Sequence, residues 1–164
     1  MRNKTLVLNY VEYDSLADMP AAEAELMRHA VDATATAYAP YSNFQVGACV
    51  RLEDGTLVCG NNQENASYPQ GLCAERVALF STSARYPDKR IETMALIAPA
   101  SPDVLSPCGA CRQVLLEYEK RQGSPIRILM GSQKGKVIAV HCAGDLLPFC
   151  FSKENLSSVE QQSK

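Results

Sequence analysis

The chain is predicted to fold as an α/β three-layer sandwich built on a mixed five-stranded sheet. Three observations predict it: an element order of helix, two strands, helix, strand, helix, strand, strand; a length of 164 residues, which fits one domain; and 46% hydrophobic residues, enough for a packed core. Single helices between the later strands imply parallel crossovers.

Residues 1–17 show no clear helical period, and Lys4 to Tyr13 reads as an extended arm or a short strand. Asp18 and Pro20 offer a cap and a first-turn proline for a helix over Ala21 to Tyr38, stopped by Pro40. Within it Ala22, Leu26, Ala30, Ala33 and Ala37 recur at helical spacing and form the face expected against the sheet. Phe44 to Leu52 and Thr56 to Asn62, joined by Glu53, Asp54 and Gly55, have the composition of a hairpin. A polar loop from Asn61 to Gly71 leads into a helix over Ala74 to Arg85. A strand over Ile91 to Pro99 and a helix over Gly109 to Arg121, ending near Gly123, follow. Ile126 to Met130 and Val137 to Cys142 are the last strands, and Ser152 could cap a short C-terminal helix. The reading is therefore one domain over 1–164, with an N-terminal arm at 1–17 and a polar tail at 157–164 expected to be disordered.

Sixteen Lys plus Arg against eighteen Asp plus Glu give a net charge of -2, which excludes strong electrostatic binding of a nucleic acid polymer. No apolar run approaches the roughly 18 residues of a membrane span, and the N-terminus lacks a long apolar core, so no membrane association and a cytoplasmic location are expected. Seven cysteines are an odd number and cannot all pair within the chain, which argues against a disulfide scaffold. Clustered cysteines in a reducing compartment are more often metal ligands or catalytic groups, and scattered ones small buried hydrophobes.

The spacing separates these classes. Cys108-Gly109-Ala110-Cys111 is a Cys-x-x-Cys at the start of a helix, and alone it fits half a structural zinc site, a redox pair or two buried cysteines. Cys73 adds a third thiol, also at the beginning of a helix that follows a strand and a loop. Two converging helix N-termini would stabilise thiolates there, and three sulfur ligands suit Zn²⁺ while keeping a fourth position open. A fourth ligand could come from Cys49, Cys59, Cys142, Cys150, His29 or His141, but none of the six has a supporting motif and each is assigned to core or surface. Glu75, in the first turn of the helix that begins beside Cys73, could stand next to the metal without ligating it, where a carboxylate acts as general acid and base.

Cys73-Ala74-Glu75-Arg76 followed by Pro107-Cys108-Gly109-Ala110-Cys111-Arg112-Gln113 resembles the zinc nucleoside deaminases, specifically the short cytidine deaminases. The resemblance extends from about Tyr41 to Phe151. It includes Tyr41-Ser42-Asn43-Phe44, Val46-Gly47-Ala48 and Asn62-Gln63-Glu64-Asn65-Ala66-Ser67-Tyr68. It implies a cytidine deaminase-like fold in which Cys73, Cys108 and Cys111 bind zinc and Glu75 shuttles protons. Asn62 and Glu64 would hold the ribose hydroxyls, and Phe44 would pack on the pyrimidine. The Arg76 guanidinium would donate to the cysteine sulfurs and offset the anionic charge of a zinc tris-thiolate. Arg112 and Gln113 would support the same sulfurs or simply lie on a solvated helix face.

The implied activity is zinc-dependent hydrolysis of cytidine and deoxycytidine to uridine and deoxyuridine with release of ammonia. The implied assembly is a homotetramer with shared active sites, in which Phe151, in the apolar segment 146–151, reaches a neighbouring subunit's substrate. A blasticidin-type aminohydrolase is the rival with the same zinc chemistry, and the Asn62-x-Glu64-Asn65 segment argues against it. A noncatalytic zinc-stabilised binding module is the rival from another class. It needs a fourth protein ligand and leaves Glu75 unexplained.

Overall fold

The computed structural model describes residues 1–160. Six strands form one sheet in the order β1-β6-β5-β4-β2-β3, where β1 is Tyr10–Tyr13, β2 Gly47–Leu52, β3 Leu57–Asn61, β4 Ile91–Ile97, β5 Arg127–Gly131 and β6 Val137–Val140. The α/β class and the mixed sheet are borne out, with six strands rather than five. The additional strand is β1, in the N-terminal arm. It pairs antiparallel with β6 from Tyr10↔Val140 to Tyr13↔Val137, and Lys136 Nζ meets Glu12 Oε1 at 2.7 Å across that pair.

Helix α1 (Ala21–Ala33) covers one face, over Cys49, Ala95, Ile97, Leu129 and Ala139, with Leu26, Met27 and Ala30 buried against them. Helices α2 (Ala74–Arg85) and α3 (Gly109–Gln122) cover the other face, where Ala78, Leu79 and Leu115 meet Val50, Met94, Leu96 and Ile128. Side chains that alternate along β2, β4 and β5 thus feed two separate cores, which makes the sandwich three-layered. Three expectations for α1 are corrected, the first being Ala22, which is exposed rather than on the face against the sheet. Asp18 accepts from Ser15 Oγ in a short 3₁₀ turn, and Pro20, not Asp18, is the N-cap. The helix also ends at Ala33 rather than Tyr38. The buried Thr34 hydroxyl donates to Val31 O at 2.7 Å, and the chain tightens into a 3₁₀ turn at Thr34–Thr36.

Cys49 is buried and Cys59 exposed, the core and surface places expected of them, and the two face each other in register on β2 and β3 and form a disulfide that the lack of motif did not reveal. The other five cysteines are free. Helix α4 (Lys153–Glu160) follows Ser152, whose N–H donates to Asn155 Oδ1 at 2.9 Å. The tail expected from 157 begins inside this helix, and 161–164 lie outside the described residues. Among the described residues no helix is long and apolar enough to cross a membrane.

The topology carries the chain to one point twice. Strands β3 and β4 are both antiparallel to β2 and therefore parallel to each other, so α2 and α3 leave the sheet from the same edge. Gly60 lets α2 lie close to the sheet there, because a Cβ at this position would stand 2.6 Å from Ala78 N. Helix α3 returns to β5, which runs parallel to β4 from Thr93↔Arg127 to Leu96↔Met130, after Gly123 closes its C-terminus at φ 69°.

Candidate active site

The N-caps of α2 and α3 are Cys73 and Cys108, and Cys111 lies one turn into α3. The sulfurs of the three cysteines all lie within 4.8 Å of one another, with Cys73 Sγ and Cys108 Sγ 3.8 Å apart. A tetrahedral Zn²⁺ with sulfur at about 2.3 Å sets its ligand sulfurs about 3.8 Å apart, so the donor set fits zinc in both softness and spacing. Among the described residues no fourth His, Cys, Asp or Glu joins the cluster. The electrostatics favour a thiolate at Cys73, pulled down to about 5 chiefly by the hydrogen bond from the Cys111 thiol, with Arg76 adding to it. The same pairing, with burial, keeps the proton on Cys111.

Arg76 lies beside the Cys73 sulfur. Its Nη2 lies 3.8 Å from Cys73 Sγ and donates to Gly71 O at 3.3 Å, while Nε is buried without a partner among the described residues. Glu75 is 4% exposed in the first turn of α2, outside the sulfur cluster, and burial raises its carboxyl above the usual range. Arg112 and Gln113 take up neither expected position. The Arg112 Nε donates to Pro107 O at 2.8 Å and its Nη1 to Leu146 O at 3.1 Å, while Gln113 Nε2 donates to Phe151 O at 2.9 Å. They therefore bind the C-terminal segment to the start of α3 rather than the sulfurs.

A cavity of about 310 Å³ opens over the thiols, and Asn62, Glu64, Cys73, Glu75 and Cys108 all line it. A second recess of about 330 Å³ adjoins it, sharing Glu64, Tyr68 and Gly71 and walled by Tyr41 against Tyr68, their rings edge to face at 5.9 Å. Asn62 and Glu64 also hold the loop from Tyr41 to Val46. Asn62 Oδ1 accepts from Val46 N at 2.8 Å and its Nδ2 donates to Phe44 O at 2.9 Å. Glu64 Oε2 accepts from the N–H groups of Tyr41 at 2.9 Å and Ser42 at 3.2 Å, and Oε1 accepts from Ser42 Oγ. The lining does not include Phe44, which is half-buried on that loop, or Phe151, which is 59% exposed.

Sequence reasoning missed Val46, Leu105 and Ser106 as wall residues. Leu105 and Ser106 directly precede Pro107-Cys108 on the loop leaving β4, and loops at the carboxyl ends of parallel strands are where such folds place ligands. That position was the available signal.

A model of the family described as cytidine and deoxycytidylate deaminase zinc-binding region matches residues 20–123. The chain belongs to this family. It is 37% identical over 133 residues to a cytidine deaminase of Halalkalibacterium halodurans, covering 80% of this chain and 96% of that one. It is 39% identical over 142 residues to a cytidine deaminase of Mycobacterium tuberculosis, covering 84% and 96%. The crystal structure of cytidine deaminase from Burkholderia pseudomallei superposes with a TM-score of 0.68 at 41% identity, covering 77% of this chain and 97% of that one. In this deaminase the family region spans both helix N-termini that carry the thiols.

Proposed function

We propose that this protein hydrolytically deaminates cytidine and deoxycytidine, giving uridine or deoxyuridine and ammonia. The observation that carries the reading is a three-thiol cluster with no fourth donor among the described residues, which opens into a cavity with a buried carboxylate beside it. A structural zinc site is normally closed by four protein ligands, whereas three leave room for chemistry. This weighs against the noncatalytic binding module.

Cys73, Cys108 and Cys111 hold zinc in this reading. When bound, zinc supplies Lewis acidity and lowers the pKa of water towards about 7. Glu75 takes a proton from the attacking water and delivers it to N3 of the cytosine ring, as the acidic residue does in zinc-dependent nucleobase deaminases generally. Oxygen adds at C4, the exocyclic amino group leaves as ammonia, and Glu75 carries the protons between them. Arg76, through its contact with Cys73, offsets the charge of the thiolates. Asn62 and Glu64 present an amide and a carboxylate to the sugar hydroxyls from the cavity wall. The Phe44 loop flanks the base. The same sugar-facing pair weighs against a blasticidin-type substrate.

The active unit in this proposal is a homotetramer in the cytoplasm. Phe149 and Phe151 are 95% and 59% exposed, beside an apolar cleft that takes in Leu146 and Pro148. Phe151 of one subunit approaches the neighbour's substrate, and a fully active monomer in sedimentation at assay dilution would end that part of the proposal. The activity itself is tested by following cytidine absorbance before and after chelation. Turnover that stops with zinc removal and returns with zinc supports it, and persistent inactivity of zinc-loaded protein on both nucleosides refutes it.

A further inference from the structure

We propose that Ser42 is a positioning residue for substrate binding, acting through Glu64. The inference rests on the reading of Glu64 as a sugar-facing carboxylate. Glu64 stands in the wall between the main cavity and the adjoining recess, whereas Ser42 lines only the recess. An ionised carboxylate offers about four acceptor directions. Three are taken here, by Tyr41 N and Ser42 N on Oε2 and by Ser42 Oγ on Oε1. One direction remains, on Oε1, and the serine hydroxyl fixes where it points.

The hydroxyl is itself held. Ser42 Oγ accepts from Phe44 N at 3.0 Å while it donates to Glu64, so a single oxygen links the carboxylate to the backbone of the loop beside the cavity. Between these two residues Asn43 has φ 55°, the one non-glycine residue with positive φ among those described. A left-handed residue persists where its surroundings over-determine it. Here the surroundings are the Asn43 N–H bond to Ala39 O at 3.0 Å, the Ser42 hydroxyl on one side and the Asn62 amide, which holds Phe44 O and Val46 N, on the other. Without the hydroxyl the carboxylate is held through Oε2 alone, by the Tyr41 and Ser42 N–H groups, and Oε1 loses the contact that fixes its free lone pair in one orientation.

The experiment is a double-mutant cycle on the zinc-loaded enzyme with cytidine, using Ser42→Ala, Glu64→Gln and the double variant, plus Ser42→Thr. Ser42→Ala is expected to raise KM about 5- to 20-fold, the scale of one hydrogen bond, with the loss falling on KM rather than kcat. Ser42→Thr, which keeps the hydroxyl, restores the wild-type KM. In the Glu64→Gln background the alanine substitution adds less than about twofold, because the serine acts through the carboxylate. Full additivity of the two substitutions overturns the proposal, and so does a wild-type KM in Ser42→Ala while Glu64→Gln is impaired. A wild-type KM in Glu64→Gln overturns the sugar-facing reading itself and the proposal with it.

Discussion

Cys73 and Cys108 are 35 residues apart in sequence, yet their sulfurs lie 3.8 Å apart, each at the N-cap of its own helix. The cause is topological. Two strands of the same direction send α2 and α3 off one edge of the sheet, so positions that follow a strand and a loop in each unit become neighbours. Helix N-termini at that edge favour anionic sulfur before any metal is considered.

Cys108→Ser is therefore expected to lose zinc and stability together, because metal binding is coupled to folding. Elemental analysis of the purified variant should find well under one zinc per chain, with a lower melting temperature. Stoichiometric zinc in the variant would remove Cys108 from the ligand set.

Asn62→Ala is expected to weaken the fold as well as substrate binding, since the amide satisfies both Val46 N and Phe44 O. Leaving two partly buried backbone groups unpaired costs about 1–3 kcal/mol, or a fall in Tm of about 2–10 °C in a chain of this size. An unchanged Tm would show that water replaces the amide fully and that the loop does not depend on it.

The hydrogen bonds from the Ser42 hydroxyl and then the Tyr41 N–H hold the Glu64 carboxyl below its ordinary 4.5. A group with a lowered folded pKa stabilises its partners fully above the unfolded value and loses that contribution as pH falls through the folded value. Carbon-detected NMR titration of zinc-loaded protein should place the Glu64 midpoint below 4.5, and Ser42→Ala should move it back up. A wild-type midpoint at or above 4.5 would contradict the hydrogen-bond network.

The helices that bear the thiols were legible because local signals mark both ends. Ala74 and Gly109 start as expected, and Gly123 stops α3. Strand β1 was not legible, because its partner β6 is remote in sequence and its own composition reads equally well as an arm. The Glu12–Lys136 bond joins residues 124 positions apart. The Cys49–Cys59 disulfide was hidden for a related reason, since only the hairpin register brings the two residues opposite each other. In the site, ligand spacing exposed the thiols and Glu75. Leu105 and Ser106 carry no residue-type signal, and their role follows from the loop being drawn over the sheet edge, where Leu105 N donates to Gly131 O at 3.0 Å.

In the proposed reaction a three-cysteine zinc site works with Glu75 as its proton carrier. Glu75→Gln, assayed side by side for bound zinc and for cytidine loss, tests it most directly. The expected result is one zinc per chain, as in wild type, with kcat lower by about 10²- to 10⁴-fold or more. Near wild-type turnover in a zinc-replete Glu75→Gln enzyme would contradict it.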